Sequence, residues 1–245
     1  GKKGEITTIK EAPKPKDFSA IGFESFIIKD YLSKLIDMNK PVDPKKIVHS
    51  NNYCTFWLKK ESLKPDKNGM IKLSREIIEN YYSILSNPHL KYKGKGLDLY
   101  KTVENEIGLP NLESLEFCKA WILDNVYTII EKCGLKDDKS YIKIYFEFEE
   151  SVYRNESKRY TVPSIYNTTD YNIMHNDQIF GLPNNNMGLN SKKPYLENKT
   201  RKNKLPYLIS AKEVMLQKSF FDYLYNHANN GKTNIYLSEK NGIKA

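Results

Sequence analysis

From Leu112 to Cys133, the side chains Leu115, Cys118, Ile122, Val126, Ile129 and Cys133 recur three or four residues apart. That spacing places all of them on one face of a helix, and a stripe so long has to be buried. Asn111 can accept from an amide of the first turn, and Gly134 can take the left-handed conformation that stops the helix. Soon afterwards the period changes. Over Tyr141 to Glu149, Ile142, Ile144, Phe146 and Phe148 alternate with Lys143, Tyr145, Glu147 and Glu149, the pattern of a half-buried strand. One chain that commits to both periods has to pack helix against sheet.

Weaker signals extend the reading. Phe18, Ile21, Ile28, Tyr31, Leu32 and Leu35 give a helical face that opens after Asp17 and stops at Asn39-Lys40-Pro41. Asn52 to Leu58 is rich in strand-forming types, and a short helix is expected from Ser74 to about Leu85. Arg154-Asn155-Glu156 reads as a reversal, with Lys158 to Ile165 returning as a second strand. Ser210 and Glu213 form a capping box ahead of Val214, Phe220, Phe221 and Leu224, and Thr233 to Ser238 is a last strand. Residues 1–16, ending Ala12-Pro13-Lys14-Pro15-Lys16, read as a basic arm. The expectation is an α+β fold: mixed helices with a mainly antiparallel sheet, including a hairpin near 141–165, and a long basic loop near 166–210. Residues 17–245 are expected to form a single domain, with a possible subdivision near 135.

The longest apolar run falls well short of the roughly 20 residues that a membrane helix needs. Three cysteines, Cys54, Cys118 and Cys133, are an odd and widely spaced set, so a reducing, cytoplasmic setting is expected. Two of them lie on the helical stripe and read as small core residues. A net charge of +9 together with 18 tyrosines suits a partner that offers phosphates and bases.

The charge is not spread evenly. Between Gly181 and Ser210 stand six basic residues, Lys192, Lys193, Lys199, Arg201, Lys202 and Lys204, against Glu197 alone, a net +5 of the chain's +9. Clustered cations displace condensed counterions from a phosphate backbone, which makes such binding strong at low salt. Asn184, Asn185, Asn186 and Asn190 carry amides that both donate and accept, as base edges require. Gly181 and Gly188 would let backbone approach closely. Leu182, Met187, Leu189, Tyr195 and Leu196 are apolar anchors that a plain linker lacks.

The run Phe180-Gly-Leu-Pro-Asn-Asn-Asn-Met-Gly-Leu-Asn-Ser-Lys-Lys-Pro-Tyr-Leu196, continuing through Glu197-Asn198-Lys199-Thr200-Arg201-Lys202 to Leu205-Pro206-Tyr207, resembles the large subunit of the type I-B CRISPR surveillance complex, Cascade. The likeness is strongest over about Tyr141 to Phe221. It implies a non-catalytic subunit of an antiviral defence complex that recognises the short motif flanking a target in double-stranded DNA. Its partners would be that DNA and the crRNA-bound backbone subunits, while a separate helicase-nuclease cuts. Members of that family are longer than this chain, so a segment of a larger protein is implied. The roles of Asn184 to Asn186 and of Lys192 and Lys193 come from their chemistry, not from the likeness.

Motifs for catalysis are not found. His49, His89, His175 and His227 lie far apart and no Cys-x-x-Cys occurs, so no metal or cofactor is expected. Gly94-Lys95-Gly96 lacks the rest of a phosphate loop and reads as a turn. Asp66 with Glu156 is the nearest candidate for a nuclease carboxylate pair. Tyr145, Tyr153 and Tyr160 can stack on bases or fill a core. No small-molecule substrate is expected. The competing class is a structural protein-interaction module, in which the apolar residues of the same loop dock on a neighbouring subunit.

Overall fold

The computed structural model describes residues 23–136, 138–184, 208–240 and 242–244. The chain forms two compact units that meet in sequence between Pro163 and Ser164. The fold is α+β, with helices and small antiparallel sheets.

The first unit runs α1 (Phe23–Ser33), β1 (Thr55–Lys59), α2 (Arg75–Ser86), α3 (Lys95–Ile107), α4 (Leu112–Asn125), α5 (Ile129–Lys132), β2 (Tyr141–Tyr145) and α6 (Glu150–Thr161). Helix starts follow their caps. Ser74 Oγ accepts from the Ile77 amide at 3.3 Å, and Asn111 Oδ1 accepts from the Ser114 amide at 2.9 Å. The expected stripe is the core of α4, with Leu115, Cys118, Ile122, Val126 and Ile129 buried and Cys133 half-buried. The helix is broken by a tight turn at 126–128. Asn125 donates from its side-chain amide to the Trp121 carbonyl at 2.8 Å, the acceptor that the helix would otherwise offer to its own backbone.

β2 is half-buried as its alternation requires, but its partner is β1, not a following strand. The two run antiparallel from Thr55 opposite Tyr145 to Lys59 opposite Tyr141. The expected hairpin over 141–165 does not form, because residues 150–161 are the helix α6. Its buried face is Tyr153, Glu156, Ser157 and Tyr160, spaced as a helix requires, with Arg159 and Thr161 also buried. Half of that face is polar, which hid the helical period from a reading based on apolar residues. The β1–β2 pairing also ties residues after 135 to those before it. A second correction concerns α3, which begins directly after Gly94 where a turn was expected. Gly94, at φ 51°, is its first cap.

The core of this unit carries tyrosines with their hydroxyls bonded to backbone. The Tyr153 hydroxyl lies 3.0 Å from the Cys54 carbonyl and 2.7 Å from the Phe146 carbonyl, sharing its one proton between them, while Tyr81 donates to Asn52 at 3.0 Å and Tyr160 to Ile84 at 3.2 Å. Each such bond lets a large ring be buried without leaving a polar atom unpaired. Burial pushes the thiols of Cys54 and Cys118 well above their usual range. They are inert core residues.

The second unit contains β3 (Ile173–His175), β4 (Gln178–Gly181), β5 (Ile209–Ser210), α7 (Ala211–Asn229), β6 (Tyr236–Ser238) and β7 (Gly242–Lys244). Strand order is β3-β4-β5, with β6 and β7 paired separately. α7 starts on the expected capping box: the Ser210 amide donates to Glu213 Oε2 at 3.0 Å, and the Glu213 amide donates to Ser210 Oγ at 3.3 Å.

Candidate nucleic-acid interface

Part of the stretch expected to be an irregular loop, 166–210, is regular. β3 and β4 form a hairpin in which His175 lies opposite Gln178, so Asn176 and Asp177 alone make the turn. Both have positive φ, 47° and 57°, as a tight hairpin turn demands and as Asn and Asp tolerate. The Asn-Asp pair was the signal that the sequence reading passed over.

β4 then pairs with β5, with Phe180 opposite Ser210 and Gly181 opposite Ile209. The chain therefore leaves this sheet and returns to it at adjacent positions, and the basic stretch lies between the two. Tyr166 fastens that base. Its hydroxyl lies 2.8 Å from the Ile179 carbonyl and 2.9 Å from the Ile209 carbonyl, joining both strands. Burial pushes this hydroxyl's pKa up, with the Glu213 charge adding to the shift, so it remains a donor at neutral pH. Two backbone bonds complete the join, from the Asn167 amide to Leu182 O at 2.9 Å and from the Asn184 amide to Ile165 O at 2.6 Å.

Of the expected site residues, Asn184 lies here, and it is buried, 1% exposed. It belongs to the packed base and does not present its side chain to a base edge. Gly181 likewise serves packing: a Cβ there would meet Asn172 Oδ1 at 2.5 Å and the Tyr166 ring at 2.7 Å. Its missing side chain makes room for the protein's own tyrosine, not for nucleic acid. Asn185, Asn186, Asn190, Lys192, Lys193, Lys199, Arg201, Lys202 and Lys204 lie outside the described residues, as do Gly188 and the arm at 1–16.

The other candidates resolve into structural roles. Tyr153 and Tyr160 are core residues, and the half-buried Tyr145 donates to Asp30 Oδ1 at 2.8 Å. Burial alone would raise the Asp30 carboxyl. Hydrogen bonds from Lys143 and Tyr145, with the charges of Lys143 and Lys34, outweigh it and hold the group below its ordinary range. Glu156, the nuclease candidate, is buried against Arg159 at 3.0 Å. Asp66 accepts from the amides of Asn68 and Met70 at 2.8 and 2.9 Å, which shapes a turn. Among the described residues no group of three or more His, Cys, Asp or Glu side chains is placed to hold a metal ion. Among them too, no helix is long and apolar enough to cross a membrane.

A basic feature of the first unit escaped the sequence reading. Lys40, Lys46, Lys91 and Lys93 line an open concavity of about 420 Å³. Half of it was visible as the run Lys91-Tyr92-Lys93-Gly94-Lys95. The other half comes from a segment some 50 positions earlier in the chain, brought there only by the fold. No protein-family model matches the chain, and neither a curated protein nor a solved structure matches it significantly.

Proposed function

We propose that the protein is a non-catalytic nucleic-acid-binding subunit of a type I-B CRISPR Cascade, contributing to recognition of target double-stranded DNA and its flanking motif. The observation that carries the reading is the stretch from Gly181 to Ser210, with its net +5, set between two paired strands that Tyr166 joins. A rigid base under a basic segment suits phosphate binding, because the ordering entropy of the segment's ends is settled before the ligand arrives. The likeness of residues 180–207 to the Cascade large subunit supplies the class of partner. Lys192, Lys193, Lys199, Arg201, Lys202 and Lys204 are assigned to phosphates, and Asn185, Asn186 and Asn190 to base edges.

The test is polarisation binding to short DNA duplexes over a salt series, comparing wild type with Lys192→Ala/Lys193→Ala. The reading expects tight binding at low salt and a log–log slope that falls by about 2 in the variant, near 0.9 per lost phosphate contact. Absence of duplex binding at low salt would sink it and favour the interaction module. The observation on that side is α7, where Leu216 and Tyr225 are 70% and 68% exposed.

A further inference from the structure

We propose that the outer edge of β2 is a docking site for an extended segment of a partner protein, which joins β1 and β2 as a third, antiparallel strand. The ladder itself shows that the edge is open. The Phe146 amide donates to the Cys54 carbonyl at 2.9 Å and the Lys60 amide to the Ser140 carbonyl at 3.0 Å. Bonded pairs alternate with unbonded ones in an antiparallel ladder, so Ile142 and Ile144 are the residues of β2 that bond to β1. Tyr141, Lys143 and Tyr145 therefore turn their amides and carbonyls away from it. On β1 the matching outward groups are used: the Trp57 carbonyl accepts from the His49 amide at 2.8 Å, the Trp57 amide donates to Ser50 Oγ at 3.3 Å, and Ser50 Oγ donates to the Thr55 carbonyl at 3.1 Å. On β2 no hydrogen bond takes the outward groups among the described residues. A row of unpaired donors and acceptors at strand spacing is a template for another backbone.

The side chains beside the edge define what that backbone carries. β1 lies over α2, with Phe56 against the Tyr81 and Tyr82 rings. On the β2 side Phe146 packs against Phe117 and Trp121 of α4, with ring centroids 6.2 and 5.6 Å away. Phe117 is 46% exposed and Trp121 half-buried, so α4 offers an apolar shelf on the face of Ile142, Ile144 and Phe146. The opposite face is cationic. Lys143 and Lys34 share the one carboxylate of Asp30, and Glu147 is paired with Lys29 at 3.0 Å. Successive residues of a third strand alternate between these two faces. The segment thus carries an acid opposite Lys143 and an apolar residue on either side of it. A second copy of the chain fits worse: two β2 strands overlap fully and antiparallel only with Lys143 opposite Lys143, where like charges repel.

The site lies within the first unit and does not rest on the basic stretch of the second. The probe is the peptide Ser-Val-Thr-Ile-Glu-Ile-Thr-Val-Ser, and the readout is amide hydrogen exchange of the full chain. Without peptide, the Lys143 and Tyr145 amides are expected to exchange about tenfold or more faster than those of Ile142 and Ile144; peptide is expected to slow the first pair by about tenfold or more. N-methylation of the peptide's Glu blocks an amide that faces β2 and is expected to abolish this protection. N-methylation of the Ile that follows, whose amide faces outward, is expected to leave it. Phe117→Ser, with its fold checked by circular dichroism, is expected to weaken peptide binding about tenfold. No protection at peptide concentrations up to about 1 mM overturns the proposal, as does equal protection by both N-methylated peptides. Protection of Lys143 and Tyr145 that grows with protein concentration alone overturns it in favour of pairing between copies.

Discussion

The two units solve opposite problems. The first encloses many polar groups together with their partners, Tyr82 being an exception. Asn51 donates to Lys34 O at 2.8 Å, Asn52 donates to Ser33 Oγ at 3.1 Å, and Arg159 is 1% exposed yet bonded to Glu156 and to the Gly108 carbonyl at 2.7 Å. Among its described residues the second has few that are buried and leaves apolar ones outside, among them Leu216 and Tyr225 on α7 and Leu237 on β6. A polar network with all its members satisfied specifies one arrangement, because each unmade bond inside is penalised. An exposed apolar face specifies nothing until something covers it. The difference teaches that the first unit is built as a fixed body. In the second, Tyr166 joins β4 to β5 through the Ile179 and Ile209 carbonyls.

The hardest blow to that distinction would come from the buried ion pair. Burial drives the Glu156 carboxyl above its ordinary range, with Arg159 opposing, so removal of the guanidinium leaves a poorly tolerated group inside. Arg159→Met is expected to lower the unfolding free energy by about 3–5 kcal/mol, read from the urea midpoint. Arg159→Met/Glu156→Leu is expected to recover much of it, since a packed apolar pair replaces a lone buried acid. A single variant within about 1 kcal/mol of wild type would mean that the network does not hold the first unit together.

Gly181 offers the matching test in the second unit. A methyl group there runs into the Tyr166 ring, and overpacking of this kind costs about 1–3 kcal/mol. Gly181→Ala is expected to speed hydrogen exchange of the Asn167 and Asn184 amides, which close the base of the basic stretch, by about tenfold or more. The urea midpoint of the first unit is expected to stay in place. Unchanged exchange would show that Tyr166 has room to move and that the base is looser than its hydrogen bonds suggest.

The parts legible in the sequence were those written in local signals. The Leu115-to-Ile129 stripe, the caps Ser74 and Asn111, the capping box at Ser210 and the alternation through β2 each depend on neighbours within a turn or a strand. What was lost depended on distant partners. α6 buries Glu156, Ser157 and Arg159, which no apolar period reveals, because their tolerance comes from Gly108 and Asn51 far along the chain. The partner of β2 was mistaken because a hairpin is the cheapest strand pairing in sequence, whereas here residues 55–59 supply it. The lysine concavity joins residues 40–46 to 91–93, and only half of that set is a run. Asn184 and Gly181 show the converse. Their residue types suit base and backbone contacts, yet both are taken up by the packing beneath the stretch they introduce.

The smallest effect sharpens the comparison most, because it asks whether satisfaction of polar atoms and not burial itself sets the first unit apart. Tyr153 and Tyr82 are both fully buried. The Tyr153 hydroxyl lies within bonding distance of two carbonyls, whereas the Tyr82 hydroxyl has no partner among the described residues. Phenylalanine in either place keeps the ring and removes the oxygen. Tyr153→Phe takes the hydroxyl from the Phe146 carbonyl, while the Cys54 carbonyl keeps the Phe146 amide at 2.9 Å, and is expected to cost about 1–2 kcal/mol; Tyr82→Phe removes an unmet donor and is expected to be neutral or stabilising by up to about 1 kcal/mol. Thermal and urea midpoints measured side by side decide it. Equal losses would show that the rings alone carry the core, and opposite signs would show that its hydrogen bonds select the fold.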